Sequence, residues 1–327
     1  MLKVYAARLS QRTEDSAVST KGTRKREDLI TYFEGDYRPW NDARVHVFAP
    51  AMKYGAGVFE GIRGYWSEAR SEMVLFRLEE HLARLEYSQR VMRFERVYTP
   101  DEMAGPILEM MRRNAFNEHV HLRPVVYVDG YGPVGSLGPI EYAVTAVPSD
   151  IKETVHAGCA VQVSSWQRVA DLAMPTRVKA NANYNNSRMA SVQARHDGYG
   201  AALMMNQKGH VSEGPGMCFF MIRDGVPVTP SITSNILESI TRDTVIQLLR
   251  DELGLETVER DVDRSELYAC EEAFYCGTAW EVSPITSIDG IPVGNGAIGP
   301  MSKRLTEIYF ETVTGAREDT RGWLTAV

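Results

Sequence analysis

The sequence predicts an α+β fold in two domains, and three observations carry that reading. At 327 residues the chain is longer than one compact core usually supports. Its strand-like runs cluster and are interrupted by helices, rather than alternating regularly with them. A polar stretch, Pro148-Ser-Asp-Ile-Lys-Glu-Thr, separates two apolar strand-like runs near the middle. The expected division is an extension at 1–28, a small α+β domain at 29–148, a linker at 149–155 and a large domain at 156–327.

Taken in order, Leu29-Ile-Thr-Tyr-Phe and Arg44-Val-His-Val-Phe read as strands around a turn-rich segment, and Met73-Val-Leu-Phe-Arg-Leu as another. Glu79 to Arg93 predicts a helix with Leu82, Leu85 and Met92 near one face. Pro100-Asp-Glu opens a second, reaching about Phe116, with Ile107, Met110 and Met111 inward. Strands are expected at His119–Val128, Tyr142–Val147, Cys159–Ser164, Ala201–Met205, Met217–Ile222 and Glu272–Cys276. Helices are expected at Asn183–Arg195, at Ser239–Glu252 before Gly254, and at Pro300–Thr314 before Gly315.

Hydrophobic residues make up 44% and charged residues 24%, an ordinary globular composition, while the net charge of −7 argues against nucleic acid or an anionic membrane as partner. Cys159, Cys218, Cys270 and Cys276 lie in apolar runs without metal-type spacing, which reads as reduced thiols in a cytoplasmic protein. The first thirty residues lack the apolar core of a signal peptide, and no apolar run reaches membrane-spanning length.

Gly130-Tyr-Gly-Pro-Val-Gly135 matches a dinucleotide-binding pattern, but a strand-like run follows where the motif needs a helix, so a nicotinamide oxidoreductase is set aside. His119 and His121 share a strand face without a third metal ligand nearby. Of eight lysines, only Lys53 and Lys179 lack an ordinary surface, linker or turn explanation. Lys179 lies in Pro175-Thr-Arg-Val-Lys-Ala-Asn-Ala-Asn-Tyr, a polar segment with small neighbours that leave room for a bound ring.

From about Leu29 onward the sequence resembles the branched-chain aminotransferases and their fold-type IV pyridoxal-phosphate relatives. The resemblance rests on Ala49-Pro-Ala-Met-Lys-Tyr-Gly-Ala-Gly-Val-Phe-Glu-Gly-Ile-Arg, Phe76-Arg-Leu-Glu-Glu-His-Leu-Ala-Arg-Leu, Leu122-Arg-Pro, Ser164-Ser-Trp, Val211-Ser-Glu-Gly-Pro-Gly, Ile240-Thr-Arg-Asp and Gly277-Thr-Ala. It implies a cofactor site between the two domains, with pyridoxal 5′-phosphate held as a Schiff base on Lys179. Glu213 would face the pyridine nitrogen and Tyr184 the ring oxygen. Arg84, Ser239, the backbone N–H groups of Ile240 and Thr241, and Thr278 would hold the phosphate.

For substrate, the resemblance implies Arg123 on the carboxylate with Thr278 and Ala279 as backbone donors, and Tyr54, Phe59 and Trp166 as apolar walls. The implied reaction moves an amino group from an apolar, branched-chain L-amino acid to a 2-oxo acid such as 2-oxoglutarate by ping-pong kinetics. An (R)-amine or D-amino-acid transaminase and an aminodeoxychorismate-type lyase stand as alternatives. A homodimer or higher assembly is implied, with loops near Gly130–Gly138 reaching the partner's site. His121 stands where the family usually has tyrosine, Leu237-Glu-Ser-Ile-Thr where Leu-Pro-Gly-Ile-Thr is usual, so that Glu238 brings an acid near the phosphate cup, and Met217-Cys218 where a polar pair is usual. Asn181 and Ala182 occupy positions where glycines are common.

Overall fold

The computed structural model describes residues 25–327. Residues 1–24 of the expected extension lie outside them, and Arg26–Asp28 form a 3-10 turn.

The first sheet is built from β1 (Ile30–Phe33), β2 (Asp36–Pro39), β3 (Gly57–Phe59), β4 (Ile62–Ser67), β5 (Glu72–Phe76), β6 (Val120–Val128) and β7 (Ile140–Pro148), with α1 (Pro50–Tyr54), α2 (Leu78–Val91) and α3 (Pro100–Asn114) between them. Glu34 and Gly35 both have positive φ, so the chain reverses at once and pairs the polar Asp36–Pro39 with β1. The strand expected at Arg44–Phe48 does not form; that segment turns into α1, with Ala49 N donating to the His46 carbonyl. Thr99 caps α3 reciprocally: its hydroxyl accepts from Glu102 N at 3.3 Å while Glu102 Oε2 accepts from Thr99 N at 2.8 Å. Met103, Ile107, Met110 and Met111 then bury one face of α3 with Leu78, Leu82 and Leu85 of α2.

The second sheet follows α4 (Glu153–Ala157), which occupies the polar stretch read as linker. It contains β8 (Cys159–Val163), β9 (Ala201–Leu203), β10 (Cys218–Arg223), β11 (Val226–Pro230), β12 (Val258–Arg260), β13 (Glu272–Gly277), β14 (Glu281–Ile288) and β15 (Ile291–Pro292), with α5 (Asn183–His196), α6 (Ile240–Leu253) and α7 (Pro300–Val313). The strand order is β12-β11-β10-β13-β14-β8-β9. Gly254 ends α6 in the left-handed conformation.

A final strand, β16 (Leu324–Ala326), leaves this region and pairs antiparallel with β5, completing the order β16-β5-β4-β6-β7-β1-β2 of the first sheet. Leu324–Ala326, at the end of the range expected to form the large domain, is thus a strand of the first sheet. Tyr65, Val74 and Phe76 of the first sheet pack in one core with Phe220 and Phe274 of the second and with Leu248 of α6 and Leu305 and Tyr309 of α7. That shared core fixes the two sheets against each other and leaves a cleft between them. All four cysteines are buried and free, and no described helix is long and apolar enough to cross a membrane.

Candidate active site

The cleft is lined from both sheets, and Lys179 lies where the segment between β8 and α5 is stitched onto β3. Phe59 N donates to the Lys179 carbonyl at 3.0 Å, Asn181 N donates to the Gly57 carbonyl at 2.9 Å, and Val58 bridges Ala180. A Cβ on Gly57 would sit 2.9 Å from Asn181 Nδ2, so glycine permits this close approach. With Val178 and Ala180 buried on either side, the Lys179 side chain reaches the cavity, and Nζ donates to the Tyr184 hydroxyl at 2.8 Å. Tyr184 comes from the first turn of α5 and packs on Phe59, ring centroids 4.8 Å apart. Lys53, the other lysine singled out, bonds the Gly132 carbonyl at 2.8 Å and is not on the cavity wall.

Opposite, Glu213 is only 4% exposed, and its position is set by an exchange between neighbouring segments: Met204 N donates to its carbonyl at 3.0 Å. Burial pushes its carboxyl above the usual range, and Arg168, whose Nε lies 2.9 Å from Oε1, acts against that shift. Leu237 N donates to the other oxygen at 3.2 Å. The site thus pairs a primary amine with a buried carboxylate held by a cation.

The third part of the wall is an anion cup. Ser239 caps α6 by accepting from Arg242 N at 3.2 Å, and the first-turn N–H groups that follow have no carbonyl within the helix to bond. Ile240 and Thr241 occupy that turn, buried behind Ser239 rather than on the wall. Thr278 and Ala279 complete the cup on the turn after β13. A Cβ on Gly277 would lie 3.2 Å from the Gly216 carbonyl, which explains the glycine at that crossing. Arg84 closes the side, donating through Nη1 to the Glu238 carbonyl at 2.7 Å. The Glu238 carboxylate is turned away from the cup and taken up by Arg177 at 2.6 Å.

Arg123 also lines the cavity, its guanidinium 4.5 Å over the Phe59 ring, with His121 two residues earlier on β6. Burial and the Arg123 charge push the His121 imidazole down to about 3, so it is neutral. Two expected wall residues are not brought to the cavity. Tyr54 is 45% exposed at the end of α1, and Trp166 is 45% exposed in the loop after β8, where its N–H bonds Ser164 Oγ. Both belong to segments that run over the surface. Arg168, Asn183 and Trp280 line the cavity although no role was expected for them. Arg168 stands two residues past the matched Ser164-Ser-Trp, and that proximity was the available signal.

These features meet one group well: an aldehyde-bearing, phosphorylated pyridine would find an amine, a carboxylate and an anion cup. Comparison with known proteins agrees. Residues 57–288 match the family described as "Amino-transferase class IV". The "Branched-chain-amino-acid aminotransferase" of Escherichia coli (strain K12) is 38% identical over 312 residues, 93% of this chain and 99% of the relative.

The chain belongs to the class IV, branched-chain aminotransferase family.

Solved structures of branched-chain aminotransferases superpose accordingly. That of the Thermobaculum terrenum enzyme in its PLP form has a TM-score of 0.86 at 40% identity, covering 92% of this chain and 99% of that one. That of the Thermoproteus uzoniensis enzyme with norvaline has a TM-score of 0.85 at 37% identity, covering 91% and 99%. The fold is therefore the fold-type IV α+β architecture. Within this family the chain's departures have structural answers: Glu238 is neutralised by Arg177, and Cys218 turns its thiol toward Glu213 and the Leu237 carbonyl.

Proposed function

We propose that this chain is a pyridoxal-phosphate-dependent branched-chain aminotransferase, moving the amino group of an apolar L-amino acid to a 2-oxo acid such as 2-oxoglutarate by a ping-pong mechanism. The observation that carries the reading is the Lys179 Nζ to Tyr184 Oη contact of 2.8 Å, in a cavity shared with buried Glu213 and the N-terminus of α6. When bound, pyridoxal phosphate supplies an electron-withdrawing ring that stabilises negative charge at the substrate Cα.

This chain's residues do the rest. Lys179 would hold the cofactor through Nζ, and its free amine would take the proton from the substrate Cα and serve as the acid that gives it back. Glu213 would face the ring nitrogen and favour a proton there, with Arg168 opposing the shift that burial imposes on its carboxyl. Ser239, the backbone N–H groups of Ile240 and Thr241, Thr278 and Arg84 receive the phosphate. Arg123 and the backbone of Thr278 and Ala279 orient the substrate carboxylate, and Phe59 supplies an apolar wall.

The same reading includes a homodimer in the cytoplasm. Val47, Phe48, Met52, Tyr54, Tyr131 and Val134 are exposed around α1 and the 130–138 loop, where His46 and Phe48 pack on Tyr131. A second copy would cover this apolar face and bring Tyr54 and the loop toward its partner's cavity. Four buried, unpaired thiols suit a reducing compartment.

The test is spectroscopic. Purified protein should show a visible cofactor band that L-leucine, L-valine or L-isoleucine bleaches and 2-oxoglutarate restores, and Lys179→Ala should lack both band and turnover. A response confined to (R)-amines or D-amino acids, or pyruvate release without an acceptor, would overturn the substrate assignment.

A further inference from the structure

Two motif residues remain without a task in that scheme, Glu60 of Val58-Phe-Glu-Gly-Ile and His81 of Leu78-Glu-Glu-His-Leu. Glu60 sits at the break between β3 and β4, both of which pair with β6, and its own N–H is tied to the Pro124 carbonyl at 2.9 Å. The residue is 0% exposed. Its carboxylate accepts from Arg84 twice, Nε to Oε1 at 2.7 Å and Nη2 to Oε2 at 2.8 Å. His81, one turn before Arg84 on α2 and 2% exposed, places Nδ1 2.8 Å from Oε2. Although burial alone would raise it, Arg84 and His81 hold the Glu60 carboxyl far below the usual carboxylate range. Burial keeps the His81 imidazole below its ordinary value, and because a carboxylate only accepts, Nδ1 carries the proton of that hydrogen bond.

A guanidinium has five N–H donors. Glu60 takes those on Nε and one on Nη2, and the Glu238 carbonyl takes one on Nη1 at 2.7 Å. The outer Nη edge is left for the cavity that Arg84 lines beside Ser239. A long, flexible side chain is thereby fixed in one orientation before any anion arrives, which lowers the ordering cost of binding.

We propose that Glu60 and His81 are positioning residues for phosphate recognition, locking Arg84 so that its free edge faces the cup at the start of α6. Because Arg84 also grips Glu238, the same lock joins α2 of the first unit to the phosphate helix of the second. The inference rests on reading the cavity as a pyridoxal-phosphate site.

The experiment compares two ligands that differ only in the phosphate. The full-length chain, resolved of cofactor, is titrated with pyridoxal 5′-phosphate and with pyridoxal, and the 31P resonance of the reconstituted protein is recorded. Glu60→Gln is expected to weaken the phosphate ester by about tenfold or more, since hydrogen bonds to charged groups are lost. Pyridoxal affinity should stay within about threefold, and the 31P line should shift or broaden. His81→Phe, which keeps the Glu60–Arg84 pair, should show a smaller loss of the same selectivity and serves if Glu60→Gln does not fold. Equal weakening of both ligands, or no weakening of either, would overturn the positioning role. A wild-type chain with no preference for the ester would instead overturn the cofactor reading on which it depends.

Discussion

Arg168 Nε lies 2.9 Å from Glu213 Oε1, and both residues are about 5% exposed or less. The pair joins the loop after β8 to the segment before β10, so the upward shift that burial imposes on this carboxyl is opposed by a residue from elsewhere in the unit.

Removing that cation has a signed consequence. Arg168→Met takes away the largest influence lowering the Glu213 carboxyl, so its pKa rises further and less of it is ionised at a given pH. The acid limb of the kcat profile should move to higher pH, and kcat at neutral pH should fall about tenfold. In Glu213→Gln that limb should vanish, leaving a low rate without dependence on this group. Steady-state rates measured across the acid range decide it; an unmoved limb in Arg168→Met contradicts the assignment.

Tyr184→Phe keeps the ring that packs on Phe59 but deletes the hydroxyl 2.8 Å from Lys179 Nζ. We expect kcat to drop about tenfold or more while substrate KM changes little, because the lost contact serves proton transfer. Stopped-flow bleaching with L-leucine isolates that half-reaction.

His121 fills the cavity next to Gly61, where even a Cβ would lie 3.1 Å from its Nε2. His121→Ala should open room for bulkier donors, raising kcat/KM for L-phenylalanine relative to L-leucine by about tenfold. Competition assays with mixed donors give the ratio directly, and an unchanged ratio would place His121 outside the specificity wall.

Stability across the two sheets should depend on Arg63 of β4 and Glu281 of β14, which meet at 2.9 Å with side chains 3% and 2% exposed. Glu281→Ala strands a buried guanidinium and is expected to cost about 3–5 kcal/mol, whereas Arg63→Met combined with Glu281→Leu should recover most of it. Urea unfolding midpoints of the single and double variants test this.

How much of this was readable in advance depended on range. Lys179 and Tyr184 are five residues apart on one segment, and Glu213 and Ser239 stand in short motifs, so the resemblance could imply roles for them one motif at a time. The Arg168–Glu213 pair spans distant segments and could not be seen as a pair. Long helices such as α3 carried their own caps and periodic faces. β4 was missed because Arg63 and Gly64 interrupt its apolar pattern, and β14 because Pro284, Ser283 and Thr286 mask it. Arg44–Phe48 alternates like a strand, yet the tight reversal at Glu34-Gly35 had already given β1 its neighbour in the polar Asp36–Pro39. Tyr54 and Trp166 were placed on the wall by resemblance alone, and exposure is a property of the whole fold.

The pairing of β16 with β5 bears on the order in which the molecule can be assembled. Leu324 lies opposite Phe76, and Arg77 N is bonded to the Trp323 carbonyl at 2.6 Å. During synthesis the rim of the first sheet stays open, with β5 offering unsatisfied N–H and C=O groups, until the whole second sheet has emerged behind it. The border of the first sheet is thus completed by the last strand made, which joins the two halves of the chain in one order of assembly.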